Sequence, residues 1–191
     1  MTKMNEFKPA EEIKVNKDII LRRFSHDADE AKYNAIITSR EHLLPWLPWA
    51  HSYKEFKEML DFTDLQIKCF NEGSVLGYDI FYQDEFAGSI DLHNLSDTNR
   101  SCEIGYWLDK NHTGKGIITR ATDTITKYAF NELNMHRVVI QAASQNKASC
   151  AVAERLNFAL EGTLRENELL DGKYYDVNVY AKLNPLHASG Q

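Results

Sequence analysis

What is scarce in this chain narrows it before any motif is read. Three cysteines among 191 residues, Cys69, Cys102 and Cys150, form no C-x-x-C pair and are odd in number. A disulfide framework is therefore not expected, and the thiols read as reduced and buried. None of the seven histidines has a zinc-type spacing to another His or to a Cys, so no metal site is expected. The apolar runs fall far short of the roughly 20 residues a membrane helix needs, and Met1 to Phe7 shows no secretory pattern. No membrane partner is expected, and the expected compartment is the cytoplasm. Positive charge is scarce too. A formal net charge of −6 argues against a general nucleic-acid surface and is compatible with a cationic amine partner.

What is present, 43% hydrophobic and 26% charged residues, suits one globular domain with a full core. Glycine is sparse but clustered where it matters. The stretch Cys102 to Ala129 begins with Glu103-Ile104-Gly105-Tyr106-Trp107-Leu108, a strand by composition, and passes through polar residues with Gly114 and Gly116 around Lys115. Ile118, Ala121, Ile125 and Tyr128 then recur at helical spacing. Strand, glycine-bearing loop and helix in that order can seat an anion. The first N–H groups of a helix lack internal partners, and glycines let a phosphate approach the backbone. Two familiar seats are excluded. Thr119 stands where G-x-G-x-x-G needs its third glycine, and no P-loop pattern is present.

Along the chain, residues 1–14 read as an irregular arm, residues 15–184 as a single domain and 185–191 as a tail. Val15 to Phe24 reads as a strand, and Ser25 as the N-cap of a helix running to about Arg40. His42 to Trp49 holds two prolines and two tryptophans, which makes it a core-covering loop or a wall of the site. A helix follows over Tyr53 to Asn71, closed by Gly73, then three hairpin-linked strands to Leu108. After the central helix come a strand (His136 to Ala142) and a helix (Asn146 to Leu156, with Ala148, Val152 and Leu156 on one face). Two strands about Asp171-Gly172 complete the chain. The order β-α-α-β-β-β-α-β-α-β-β defines a mixed α/β (α+β) fold with a mostly antiparallel sheet and a right-handed βαβ unit at its centre.

The residues now quoted carry a family likeness. The chain resembles the GNAT N-acetyltransferases, and within them the RimJ/RimL branch with its YdaF-like ribosomal-protein-serine acetyltransferases. Asn111-His112-Thr113-Gly114-Lys115-Gly116 is similar to the acetyl-CoA signature R/Q-x-x-G-x-G/A, with Asn111 at the R/Q position. Asn146-Lys147-Ala148-Ser149 with Glu154-Arg155-Leu156-Asn157-Phe158 resembles the family's N-x-x-S and E-R/K-x-G-F helix, Asn157 replacing the glycine. Trp46-Leu47-Pro48-Trp49 and the terminal hairpin through Tyr175 complete the likeness, which runs from Ile19 to Leu183.

The resemblance implies acetyl-CoA as co-substrate, entering between two splayed strands. Backbone groups of Tyr106, Trp107 and Leu108 would pair with its arm, and N–H groups from His112 through Thr113, Gly114, Lys115, Gly116 and Ile117, with Ile118 next to them, would take its phosphates. Asn146 would bind the arm, and Ser149 would donate to the departing thiolate. Glu168 is the implied general base, with Glu103 as the other candidate; Trp46, Trp49 and Tyr175 would line the acceptor side. A sulfur nucleophile at Cys102 or Cys150 lacks a His-containing motif to activate it. An α-amine needs about 2.5 pKa units, or about 3.4 kcal/mol, less help to lose its proton than a lysine. The first expectation is thus acetyl transfer to a protein N-terminus, ribosomal or otherwise cytosolic, by a homodimer. The alternatives are a small-molecule N-acetyltransferase acting on polyamines, amino sugars or antibiotics, and a catalytically weak acyl-CoA-binding sensor.

Overall fold

The computed structural model describes residues 8–187. The expected arm is not irregular throughout: Glu12–Lys14 is a short strand, β1, antiparallel to β2 (Ile19–Arg23), with Ile13 opposite Leu21. The turn between them closes because the Asn16 side chain accepts the backbone N–H groups of Asp18 and Ile19 at 2.8 and 2.9 Å. Residues 1–7 and 188–191 of the expected arm and tail lie outside the described residues.

The helix expected from Ser25 is broken into a 3-10 turn at His26–Ala28, α1 (Asp29–Thr38) and a single turn α2 (Arg40–Leu43), and the Ser25 side chain does not cap it. The break falls at Ser39, whose backbone (φ −96°, ψ 5°) leaves the helical region. The next helix, α3 (Phe56–Glu72), starts later than Tyr53 because Glu55 and Glu58 form a reciprocal capping box. It stops at Gly73, as expected, in a left-handed conformation.

Strands β3 (Leu76–Tyr82), β4 (Glu85–Ser96) and β5 (Ser101–Leu108) form the expected meander. Helix α4 (Ile117–Asn131) crosses to β6 (Arg137–Ala143), which runs parallel to β5. Helix α5 (Lys147–Arg155) leads into the hairpin of β7 (Ala159–Leu170) and β8 (Lys173–Leu183). All eight strands join one sheet in the order β1-β2-β3-β4-β5-β6-β8-β7, antiparallel except at β5/β6.

One face of the sheet is covered by α4, whose Ile117, Ala121, Ile125 and Ala129 pack on Ile90, Leu92, Cys102, Ile104 and Val138. Ile117 and Ile125 are each worth about 1.5–3 kcal/mol of burial. On α5 the buried residues are Cys150, Val152 and Ala153, while Ala148 is exposed, so the sheet-facing stripe is rotated from the one expected. Small side chains at 150 and 153 let this helix dock closely on β6, where the Cys150 thiol faces the Ala143 carbonyl at 3.7 Å. The opposite face carries α1, α2 and α3 with a smaller cluster of Ile36, Leu43, Ala50, Tyr53 and Met59.

Candidate active site

The parallel ladder between β5 and β6 is short. Ser101, Cys102 and Glu103 pair with Arg137, Val138 and Val139, and there the pairing stops. On their outer edges both strands stay paired to the end: β5 with β4 as far as Leu108, β6 with β8 as far as Ala143. The two strands therefore splay from Glu103 onward. The facing backbone edges of residues 104–108 and 140–143 border a wedge-shaped gap, and buried N–H and C=O groups there need a partner. This is the opening that the family resemblance implies, and only the register locates its apex.

On the α4/α5 face the gap is bridged by two side chains. The Tyr106 hydroxyl lies 3.0 Å from the Ser149 Oγ and donates to the Ser149 carbonyl at 3.3 Å. Burial pushes the Tyr106 phenol up to about 12, so it remains a neutral donor. The Ser149 side chain is thereby tied to β5. Asn146 does cap α5, its Oδ1 accepting the Ser149 N–H at 3.2 Å. The buried Cys102 thiol is pushed up to about 12 by desolvation, which suits a packed core thiol and not a nucleophile. Cys150 is buried as well; Cys69 is only half-buried.

At the mouth of the gap, residues 109–116 form the loop that precedes α4. Gly114 (φ +75°) and Gly116 (φ +67°) are both left-handed, and Gly116 is the N-cap. A β-carbon on Gly114 would meet nothing within 4 Å, so it would project into open space of the kind a phosphate needs. The loop is latched from below by the buried Asp109. Its Oδ1 accepts the Ser39 hydroxyl at 2.6 Å, its Oδ2 accepts His112 Nδ1 at 3.0 Å, and Ser39 Oγ in turn accepts the Lys110 N–H at 3.0 Å. Burial opposes the Asp109 charge, but these hydrogen bonds outweigh it and hold the carboxyl below its ordinary range. Thr113 closes the turn onto the Lys110 carbonyl at 2.9 Å. Asn111 is turned toward Asp109 (3.5 Å), and the Lys115 ammonium sits 5.2 Å from the centre of the Tyr82 ring.

Side-chain alternation along the strands puts Glu103, Gly105, Trp107, Gln141 and Tyr175 on the other face of the sheet. There the Trp46–Trp49 loop packs against the sheet. Trp49 packs edge-on against Trp107 (5.9 Å between ring centres) and Trp46 against Tyr175 (6.0 Å), so the loop reaches both banks of the gap. Glu168 stands opposite Tyr175, beyond a bulge in which three residues of β7 (165–167) face one of β8. Within that bulge Glu166 is left-handed (φ +50°), and its N–H is accepted by Asp176 at 2.9 Å. The bulge turns Glu168 inward on a strand that is otherwise exposed from Ala159 to Asn167. The Glu168 carboxylate has no hydrogen-bond or ion-pair partner among the described residues, and burial raises its pKa.

Glu103 is placed quite differently. Gln141 Nε2 and Asn94 Nδ2 donate to it at 3.0 and 3.1 Å, and His93 Nε2 lies 3.7 Å away. His93 itself is bound through Nδ1 to Asp91 at 2.6 Å, a hydrogen bond that raises its pKa. Gly105 leaves room for this pair, since a β-carbon there would come within 3.0 Å of the Asp91 carboxylate. The two candidate bases thus share a face, but one is free and the other is held by donors. The Tyr106–Ser149 contact and the Asp109–Ser39 latch escaped sequence reading, because each joins residues distant in the chain; the Asp91–His93 pair lies two residues apart on β4 and leaves only a short Asp-x-His in the sequence. Among the described residues no group of three His, Cys, Asp or Glu residues could hold a metal, and no helix is long and apolar enough to cross a membrane.

A mostly antiparallel sheet, split at its one parallel pair beside a glycine cradle, defines an acyl-CoA-dependent acetyltransferase fold. Residues 18–159 match the acetyltransferase (GNAT) domain, and the chain belongs to that family. Two curated relatives are at least 30% identical over nearly its whole length. The ribosomal-protein-serine acetyltransferase of Escherichia coli (strain K12) is 30% identical over 91% of this chain and 97% of its own. YdaF of Bacillus subtilis (strain 168), to which ribosomal N-acetylation is provisionally ascribed by name, is 36% identical over 89% of this chain and 93% of its own. Among solved structures, RimL, a ribosomal L7/L12 α-N-protein acetyltransferase in complex with coenzyme A, superposes with a TM-score of 0.88 at 30% identity. That match covers 91% of this chain and 98% of RimL.

Proposed function

We propose that this acetyl-CoA-dependent N-acetyltransferase takes as its acceptor the terminal α-amine of a cytosolic protein, a ribosomal protein foremost. The observation that carries the reading is the contrast between Glu168 and Glu103 on the acceptor face. Two carboxylates in opposed environments divide the work of a site. Glu168, unpartnered and with its pKa raised by burial, serves as the general base. Glu103, ringed by donors, is held at the floor of the acceptor face. An α-amine suits so modest a base, since its ordinary pKa is about 7.7–8.0. The relatives named for ribosomal proteins support the same acceptor class.

The residues present fit the co-substrate. N–H groups around Gly114 and Gly116 and at the start of α4 would hold phosphates, and the open edge of Tyr106 to Leu108 would pair with the amides of the arm. Direct transfer forms the amide C–N bond and breaks the thioester C–S bond. The amine loses one proton, and the departing sulfur gains one. Glu168 receives the first, directly or through water. Ser149, held by Tyr106, donates to the sulfur from the other face. Trp46, Trp49 and Tyr175 wall the acceptor's approach.

A homodimer is part of this proposal. It is supported by the edge strand β7 and its partner, which leave Leu160, Leu164, Leu169 and Tyr174 exposed. Sedimentation at micromolar concentration tests it, a monomer being the contrary result.

The acceptor is tested by following acetyl-CoA consumption with peptides beginning in Ser, Ala or Met, beside spermidine and aminoglycosides. Turnover on peptides is expected. Turnover confined to the small amines would refute the α-amine reading, and acetyl-CoA binding with no turnover on any amine would favour a sensor.

A further inference from the structure

One cation at the glycine cradle has no part in the roles above. Arg120 lies in the first turns of α4, exposed to solvent. Its guanidinium folds back over the loop: Nη2 donates to the Lys115 carbonyl at 2.8 Å, and Nη1 lies 3.6 Å from where a β-carbon of Gly116 would stand. This is a poor place for an unbalanced positive charge. The N-terminus of a helix already carries partial positive charge, and cations there are unfavourable. Acidic residues temper that end in α1 (Asp29, Glu30) and α3 (Glu58), but α4 has none in its first turn. Among the described residues Arg120 forms no ion pair, and the nearest acid along the helix, Asp123, is bound to Lys127 at 2.7 Å. A guanidinium, a helix terminus and a left-handed glycine pair converge with no acidic side chain in the helix's first turn to balance them.

The other side chains of the loop are committed elsewhere. Asn111, at the motif position where the family's signature has Arg or Gln, points to Asp109, and Lys115 sits over the Tyr82 ring. We propose that Arg120 is the side-chain phosphate clamp of this enzyme, taking over from the helix the part that position 111 cannot play with an asparagine. This rests on the acetyl-CoA reading of the cradle. The ligand chemistry is a phosphate oxygen of coenzyme A, from its diphosphate or its ribose 3′-phosphate. A planar fork of N–H donors suits either.

The test is calorimetric binding of coenzyme A, and of dephospho-coenzyme A lacking the 3′-phosphate, to the wild type, R120A and N111R/R120A. R120A is expected to bind coenzyme A about ten-fold more weakly, the usual scale of a lost charge-assisted hydrogen bond. Its melting temperature without ligand should not change, because the side chain is exposed. If both ligands weaken together, the clamp holds the diphosphate; if only coenzyme A weakens, it holds the 3′-phosphate. The N111R change is expected to restore part of the loss. R120A affinities within two-fold of wild type for both ligands would overturn the proposal, and no recovery in N111R/R120A would overturn the exchange of roles. A wild type that binds neither ligand would instead refute the cofactor reading itself.

Discussion

The phenol oxygen of Tyr106 lies 3.0 Å from the hydroxyl oxygen of Ser149, so a strand and a helix on opposite banks of the sheet's opening touch through two side chains. The contact holds the serine hydroxyl at the gap, on the face opposite the two candidate bases. S149A is expected to lower kcat about a hundred-fold, the scale of a lost proton donor, and to change the Kd for acetyl-CoA far less. Y106F should lower kcat by a smaller factor while leaving the fold intact. Steady-state kinetics beside binding measurements check both, and an unchanged kcat in S149A would remove Ser149 from the chemistry.

Glu168 offers a test that separates a base from a structural carboxylate. Its folded pKa is raised, so ionising it costs native stability as pH rises through that value. The sign follows: at neutral pH, E168Q relieves this cost and should be at least as stable as wild type. It should nonetheless lose about 10²-fold or more in turnover and the acid limb of its pH–rate profile. Denaturant melts and a pH profile together decide this; a destabilised but active E168Q would point to a structural role.

Gly114→Glu adds a side chain and a negative charge where the cradle is open and the backbone is left-handed. The strain is about 1–2 kcal/mol, which the domain should tolerate. Saturating acetyl-CoA at 100 times its Kd should stabilise wild type by about 2.7 kcal/mol and G114E not at all. A thermal shift that survives in G114E would contradict the placement of the phosphates.

The Asp109–Ser39 latch predicts a linked loss of stability and cofactor affinity. S39A leaves Asp109 with one donor fewer in a buried site and should cost about 1–3 kcal/mol. Because the Asp109 pKa lies below its unfolded value, its contribution is present above about pH 4 and is lost as pH falls through the folded value. The stability gap between wild type and D109N should therefore narrow on acidification, as urea melts at pH 7 and pH 3 would show. Equal stability of the two at pH 7 would contradict the latch.

The chain's own order of residues determined the local parts of this protein. Strand, glycine loop and helix were legible over 102–129 because each rests on nearby chemistry: β-rich composition, glycine's tolerance of positive φ, and a helical repeat ending at Tyr128. The closing hairpin at Asp171-Gly172 and the stop at Gly73 were legible for the same reason. The Asn146 cap was too, but the inward stripe of α5 was not, because docking on β6 and not the helical repeat decides which small residues turn inward. Tertiary structure alone placed the gap, since whether β5 stays paired to β6 beyond Glu103 depends on β4 and β8 holding their other edges. It alone separated the environments of the two carboxylates, through a bulge that turns Glu168 inward while donors from β4 and β6 occupy Glu103. Local propensity acts through neighbours in the chain, whereas proton affinity and the shape of a cleft are set by groups that only folding brings together.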